Sequence, residues 1–311
     1  MKMERNNEQI SMNDLSFRVA EVNFRVRVQD VDDARKLLPS YAPFNVKRIA
    51  ETDCQMLLNV ADGLVPFEAD GEEVGNFDCG DSAFGVYRTS DGGYRILISD
   101  LSHQRACALH ASAHFERCEA SLFGNENQQR YGLNNALMVA FAFAAAHFGV
   151  LLMHSSVTMF EGRGYLFLGK SGTGKSTHSS LWRKYIPGSD LLNDDNPAVR
   201  AYADGRVIVF GTPWSGKTPC YRNLSVPVGA FVRLEQYPSN EIRRDSRLEE
   251  FASVLSSCST MIWDKPSYDA ILASITRILR SGTPGFYLRC LPDEAAAQLS
   301  RKTIAPVMVK E

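Results

Sequence analysis

The sequence predicts an α/β protein in which a unit with a mixed sheet follows a β-rich unit of α+β character. Three observations predict it. Gly169-Lys170-Ser171-Gly172-Thr173-Gly174-Lys175-Ser176 stands between an apolar strand, "YLFLG", and an amphipathic helical pattern. After that helix the chain returns as a short apolar strand, "DLLNDD". Much of the chain before about residue 125 alternates apolar and polar residues, the period of a half-buried strand. The expected division is a flexible N-terminus over 1–14, a β-rich domain over 15–127 and the phosphate-binding domain over 128–311.

The elements follow in order. "SFRVAEVNFRVRV" alternates with a phase shift at Ala20 and reads as a strand with a bulge or break there. "DVDDARKLLPSY" reads as a short helix opened by Asp30 and closed before Pro39. Two apolar-rich runs flank Asp91-Gly92-Gly93, a hairpin in which glycine supplies the positive φ. Cys107, Leu109, Ala111, Ala113 and Phe115 alternate with His110, Ser112 and His114, which predicts one further strand.

A long apolar helix is expected over Gly132 to Phe148, then the strand "LLMHSSVTMF", a turn at "EGRG" and the strand into the loop. His178, Leu181, Trp182 and Tyr185 form one stripe on the next helix. A hairpin turning at Asp204-Gly205, the strand "VPVGAFVRLEQ", helices near 247–258 and 266–279, "GFYLRCL" and a final helix from Asp293 complete the chain.

Composition bounds the function. The chain has 311 residues, 44% hydrophobic and 23% charged, with a net charge of -2, an ordinary globular balance without a basic field for nucleic acid or an anionic membrane. Seven scattered cysteines form no C-x-x-C pair, which fits reduced thiols in a cytoplasmic protein. The polar start "MKMERNNEQISMND" lacks the apolar core of a signal peptide. Ala136 to Met153 is nearly all apolar, but His147, Gly149 and the lack of a flanking basic cluster favour a buried helix followed by a strand over a membrane span.

Residues 169–176 match G-x-x-x-x-G-K-[ST] in full. Glycines let the backbone wrap a phosphate so that several N–H groups point inward at a helix N-terminus. Lys175 then supplies charge to the β- and γ-oxygens and the Ser176 hydroxyl is placed for Mg²⁺; Gly169, Ser171, Gly172, Thr173, Gly174 and Thr177 complete the nucleotide-binding set. Asp194 and Asp195 end the next strand nineteen and twenty residues after Lys175. Adjacent carboxylates there can divide labour, one holding Mg²⁺ while the other receives a proton from an attacking hydroxyl. His154 lies on the strand whose hairpin partner runs into the loop, where a histidine taken alone reads as structural.

The set of His154, the loop ending in Lys175-Ser176, and Asp194-Asp195 resembles the C-terminal catalytic domain of HPr kinase/phosphorylase. That family carries a histidine twenty-one residues before its loop lysine, the separation between His154 and Lys175. Its paired aspartates also end the strand after the loop's helix. The loop is in turn similar to that of phosphoenolpyruvate carboxykinase. The resemblance covers roughly residues 130 to 240. It implies a P-loop kinase domain using ATP and Mg²⁺, with Asp194 as base on an acceptor hydroxyl, Asp195 as metal ligand and His154 as a neighbour tuning the phosphate site; the two aspartates can exchange roles. It also implies a homo-oligomer.

The family's second signature, an Ile-Arg-Gly-Leu-Gly type element, is replaced by "VFGTPWSGKTPCYRN". The chain thus looks more like the divergent HPr kinase-like proteins, with an acceptor of unknown identity, protein or small molecule. Within that segment Trp214, Lys217 and Arg222, with Arg233 beyond it, are candidate contacts to acceptor or phosphate, against a plain reading as a core tryptophan with solvated bases. His110 and His114 on one strand would stand about 13 Å apart, too far to share a metal ion. No S-x-x-K, H-E-x-x-H or G-x-S-x-G motif appears. The sequence therefore points to a phosphotransferase, with a nucleotide-dependent partner-binding module and a carboxykinase-like activity as alternatives.

Overall fold

The computed structural model describes residues 13–61, 71–79, 82–216 and 218–305. Most of the N-terminal stretch expected to be flexible (1–12) lies outside them, as does Lys217, while Asn13 and Asp14 open the first strand. The fold is mixed α/β. The chain divides into one unit of Met1–Phe17, Asn23–Pro39 and Asn45–Ala140 and a second of Arg18–Val22, Ser40–Phe44 and Phe141–Glu311.

The first unit is built on an eight-stranded sheet. Its strands are β1 (Asn13–Val19), β2 (Val22–Val28), β3 (Met56–Val60), β4 (Glu72–Cys79), β5 (Ser82–Arg88), β6 (Tyr94–Asp100), β7 (Arg105–Ala111) and β8 (Arg117–Leu122), in the order β1-β2-β3-β8-β7-β6-β5-β4. β3 is parallel to both β2 and β8, whereas β4 to β8 pair antiparallel. Phe24, Val26, Leu58, Ile96, Ile98, Leu109 and Ala120 are buried. α1 (Val31–Leu37) is capped by Asp30, whose carboxylate accepts from the N–H groups of Asp32 and Asp33, as its sequence position predicts. α2 (Glu126–Ala146) starts six residues before the expected Gly132. Asn125 and Gln128 cap it reciprocally, each side chain accepting from the other's N–H at 3.2 and 2.9 Å, a box that apolar periodicity does not reveal.

Two expectations fail in this half. The single broken strand is instead the pair β1 and β2, joined through Ala20 (φ 47°) and Glu21 (φ 65°), a left-handed two-residue turn made without the usual Asn or Gly. The strand expected to run through Phe115 stops at Ala111. Phe115 takes φ 59° in the next turn and stacks on Tyr94 at 5.6 Å, so His114 is off the strand that holds His110.

The second unit comprises β9 (Val150–Leu152), β10 (Ser155–Phe160), β11 (Arg163–Leu168), α3 (Lys175–Tyr185), β12 (Asp190–Asp195), β13 (Ala198–Ala201), β14 (Val207–Phe210), β15 (Ser225–Gln236), β16 (Glu241–Arg244), α4 (Arg247–Leu255), α5 (Lys265–Arg280), β17 (Gly285–Cys290) and α6 (Glu294–Ile304). β15 is long enough to serve two sheets. Its start pairs antiparallel with β14, and its remainder lies parallel to β11 and β17. One sheet thus runs β12-β10-β11-β15-β17-β16 and the other continues β15-β14-β13-β9.

Alternation along β11 and β15 sends side chains to two cores. Tyr165, Phe167, Ala230 and Val232 meet Trp182 of α3 and Ala297 and Ile304 of α6. Leu166, Leu168 and Phe231 meet Val254 of α4 and Ile271, Ile275 and Ile278 of α5. The tilted and edge contacts of Trp182 with Tyr165 and Phe167, at 5.3 and 5.6 Å, fix α3 and with it the loop that precedes it. Among the described residues no helix is long and apolar enough to cross a membrane.

Candidate functional site

The site assembles where β11 ends, β12 ends and β10 begins. The antiparallel ladders on either side of β10 place Ser155 opposite both Leu168 and Asp195, so the exit to the loop and the paired aspartates are two strands apart. The loop needs its glycines. Gly169, Gly172 and Gly174 have φ of 150°, 82° and 98°, and a Cβ on Gly169 would stand 2.5 Å from the Thr173 hydroxyl oxygen. Gly174 is the N-cap of α3 and provides no side-chain acceptor, which leaves first-turn N–H groups to an anion.

Lys175 is buried at the first position of α3. Its ammonium has three protons and three acceptors: the carbonyls of Gly169 at 2.9 Å and Lys170 at 3.2 Å, and His154 Nε2 at 2.8 Å. On the other side of the ring, His154 Nδ1 lies 3.0 Å from Asp195 Oδ1. A neutral imidazole with its proton on Nδ1 satisfies both contacts, accepting from Lys175 and donating to Asp195. Burial pulls the Lys175 ammonium below the usual lysine range, and the charges of Asp195 and Asp194 oppose that pull.

His154 is held between sheets. β9 belongs to one and β10 to the other, so the expected single strand "LLMHSSVTMF" is two strands with Met153 and His154 in the gap. The His154 N–H donates to Ser257 O at 2.6 Å just beyond α4, and the Met153 N–H to Pro197 O. The ring is thereby fixed by backbone on two sides while its side chain remains 38% exposed.

The two aspartates differ sharply. Asp194 is 2% exposed, and its Oδ2 is buried without a hydrogen-bond partner among the described residues. Asp195 is one-third exposed, bonds His154 through one oxygen and accepts from Asn196 Nδ2 at 2.6 Å through the other. Its φ of 146° is a conformation few non-glycine residues take, and it persists because neighbours over-determine it. Asn193 Nδ2 donates to the Trp214 carbonyl at 3.0 Å and to Thr212 Oγ1 at 3.2 Å. Thr212 Oγ1 in turn donates to Asn196 O at 2.7 Å, and the Gly216 N–H donates to Asp194 O. This polar knot, missed by sequence reasoning, has a visible trace in the Asn residues that bracket the aspartates.

The remaining candidates separate. Trp214 is 2% exposed and packs on Phe141 at 5.0 Å, with its Nε1 donating to Tyr41 Oη at 2.8 Å. Its backbone serves the knot, and its side chain is core. Arg222 pairs with Asp190, at the opposite end of β12 and about 13 Å from Asp194 by strand rise. Lys217 lies outside the described residues. Arg233 stands opposite Leu168 on β15 with its guanidinium over the Tyr287 ring at 5.7 Å.

The residues here could hold a divalent cation. Two carboxylates beside one ammonium would repel an incoming triphosphate, and the orphaned Asp194 oxygen is a ligand position already desolvated. Among the described residues no three His, Cys, Asp or Glu side chains form a metal cage. Mg²⁺ suits such a place, since it is commonly held by one or two protein oxygens together with phosphates and water.

Comparison with known proteins adds little. No family model matches the chain, and no curated protein matches it. Among solved structures, the HPr(Ser) kinase/phosphatase from Coxiella burnetii aligns at 12% identity over 49% of this chain and 94% of its own, with a TM-score of 0.30. A likeness that loose establishes neither family nor activity.

Proposed function

We propose that the chain binds Mg·ATP on residues 169–177 and transfers the γ-phosphate to a hydroxyl of a protein or small-molecule acceptor. The observation that carries this reading is the contact series Lys175–His154–Asp195, at 2.8 and 3.0 Å, beside the unpartnered oxygen of Asp194. One carboxylate beside a phosphate loop serves any protein that binds Mg·nucleotide; the second, exposed and held by a histidine, is what favours transfer over binding alone. A transferase can use both, one for the metal and one for the proton.

The unequal exposure supports the exchanged order of the two aspartates, the reverse of the one the resemblance implies first. Asp194, buried and lacking a partner, is assigned with Ser176 to the metal, which when bound neutralises phosphate charge. Asp195, reachable from solvent, is assigned as the base. It takes the acceptor hydroxyl's proton as the new O–P bond forms and the bond to the β–γ bridging oxygen breaks, releasing ADP. His154 holds Asp195 through Nδ1–H, and Lys175 turns from the loop carbonyls toward the phosphates. In-line transfer of this kind depends on placement and charge more than on covalent chemistry.

Labelled γ-phosphate offered with fractionated lysate, free serine and HPr-like protein tests the reading; no label on any acceptor would overturn it. The order of the aspartates has its own test. Asp194→Asn should abolish the tightening of ATP binding by Mg²⁺, whereas Asp195→Asn should keep it and lose transfer. A second reading, nucleotide-dependent partner binding, draws on the first unit, where Arg27, Asn59, His110, Arg117 and Glu119 line a cleft of ≈ 550 Å³. Capture of a partner by the doubly substituted, transfer-dead chain would favour it.

A further inference from the structure

A second cleft opens directly from the phosphate loop, entirely within the second unit. It has a volume of ≈ 640 Å³, and Gly174 and Thr177 at the start of α3 line it. Its walls are largely apolar, with Leu181 and Leu234 inside and the tips Tyr237-Pro238 and Leu291-Pro292 at the rim. Tyr237 and Leu291 are among the large apolar side chains left exposed, at 38% and 40%. Both border a concave space of ligand size.

The rim is pre-formed. Gln236 and Cys290 are partners in the parallel ladder of β15 and β17, and the Tyr237 N–H donates to Cys290 O at 3.2 Å. Asn240 accepts from the Leu291 N–H at 2.8 Å and donates to Asp293. Gln236 Nε2 donates to Gly172 O at 3.0 Å, tying the wall to the phosphate loop. Of the polar side chains that line the cleft, Gln236 Nε2 is taken by that bond, Thr173 Oγ1 by Lys170 O and His178 Nε2 by Ser300, while His178 Nδ1 is buried without a hydrogen-bond partner among the described residues.

We infer that this cleft receives the base and ribose of the nucleotide whose phosphates lie on residues 169–176, and that it holds the base by stacking and shape, with little discrimination between adenine and guanine. The inference rests on the nucleotide-binding reading of that loop and extends it to the base. Continuity decides the occupant, because a nucleotide on the loop must send its nucleoside past Thr177 along α3 or away into water. The chemistry decides the selectivity. Telling adenine from guanine takes a donor and acceptor pair aimed at one base edge, and beyond Thr173, Thr177, His178, Gln236 and Cys290 the lining is Leu181, Leu234, Tyr237, Pro238, Leu291 and Pro292, which offer mainly apolar surface.

Calorimetric titration of ATP, GTP and inorganic tripolyphosphate, each with Mg²⁺, tests it. ATP and GTP should bind within about threefold of each other, and tripolyphosphate at least tenfold more weakly. Tyr237→Ala should weaken both nucleotides by about tenfold, in line with the loss of a stacked aromatic, and leave tripolyphosphate unchanged. As a second measurement on the unaltered chain, mapped alkylation of Cys290, which lies in the cleft, should be slowed by ATP and not by tripolyphosphate. Tripolyphosphate binding as tightly as ATP, or a hundredfold preference between the two bases, would overturn the cleft assignment while leaving the loop's role intact. No binding of any of the three would overturn the nucleotide reading and this inference with it.

Discussion

Replacing Lys175 with methionine separates what this side chain does for the fold from what it does for a ligand. In the folded chain the ammonium is buried, and burial holds its pKa below the ordinary lysine range. Below both the folded and unfolded pKa values the charge therefore costs stability, and the cost is relieved as pH rises through the lowered value toward that of the unfolded chain. Three hydrogen bonds, to Gly169 O, Lys170 O and His154 Nε2, offset it. The two carbonyls sit on a loop that water reaches, so losing their donor costs little. Lys175→Met should accordingly fold with a stability within about 1 kcal/mol of the parent, the desolvation gain cancelling the lost bonds.

Triphosphate binding behaves in the opposite way. A unit charge about 4 Å from a phosphate charge contributes about 4 kcal/mol at an effective dielectric constant near 20. Trading the three present acceptors against phosphate oxygens leaves a net of about 2–3 kcal/mol, or roughly 30- to 150-fold in affinity. Urea unfolding and calorimetric titration of Mg·ATP give the two numbers on the same preparation. Because phosphate restores the ammonium's preference for its proton, binding above the lowered pKa should take up a proton, seen as a dependence of the heat on buffer ionisation. An affinity within threefold of the parent would refute the placement of Lys175 against phosphate. A large loss of stability would refute the balance drawn for its burial.

Other outcomes rest on single contacts. His154→Gln removes the ring that joins Lys175 to Asp195; transfer should fall by at least tenfold while ATP affinity shifts less than threefold, measured by initial rates and titration. Trp214→Phe removes the N–H that donates to the buried Tyr41 hydroxyl and thins the packing on Phe141, and should cost about 2–3 kcal/mol by urea unfolding. Glu161 has φ 48° beside Gly162 in the exposed turn between β10 and β11, so Glu161→Asn should raise stability by about 0.5 kcal/mol and move the melting temperature upward.

How much of the molecule is legible in its sequence depends on how local each determinant is. The phosphate loop is legible because its glycines, lysine and serine act within eight consecutive residues. β12 and the helices α4, α5 and α6 are legible from period and caps, with Asp293 and Asp264 accepting from the first-turn N–H groups as their positions suggest. The turn at Ala20-Glu21 is not, because its two residues carry no intrinsic left-handed preference and tertiary context alone imposes it. His154 can be picked out only by its separation from Lys175; the break between sheets that aims its ring depends on Ser257, more than a hundred residues later. The knot of Asn193, Thr212 and Asn196 joins two distant segments through side-chain amides and hydroxyls, which leave no periodic signature. Trp214 reads as a site residue in a glycine-rich segment, and only its partners Tyr41 and Phe141 place its ring in the core.

The seam at Met153-His154 ties the site to a segment far along the chain. The backbone on its two sides is anchored to different sheets, and the short segment after α4 clasps it twice, from His154 N–H to Ser257 O and from Ser259 N–H to Leu152 O. A displacement of that segment by a fraction of an ångström would tilt the imidazole and lengthen its contacts with Lys175 and Asp195 together. The ammonium and the carboxylate therefore share one support, the His154 ring, whose backbone is held from outside the phosphate loop.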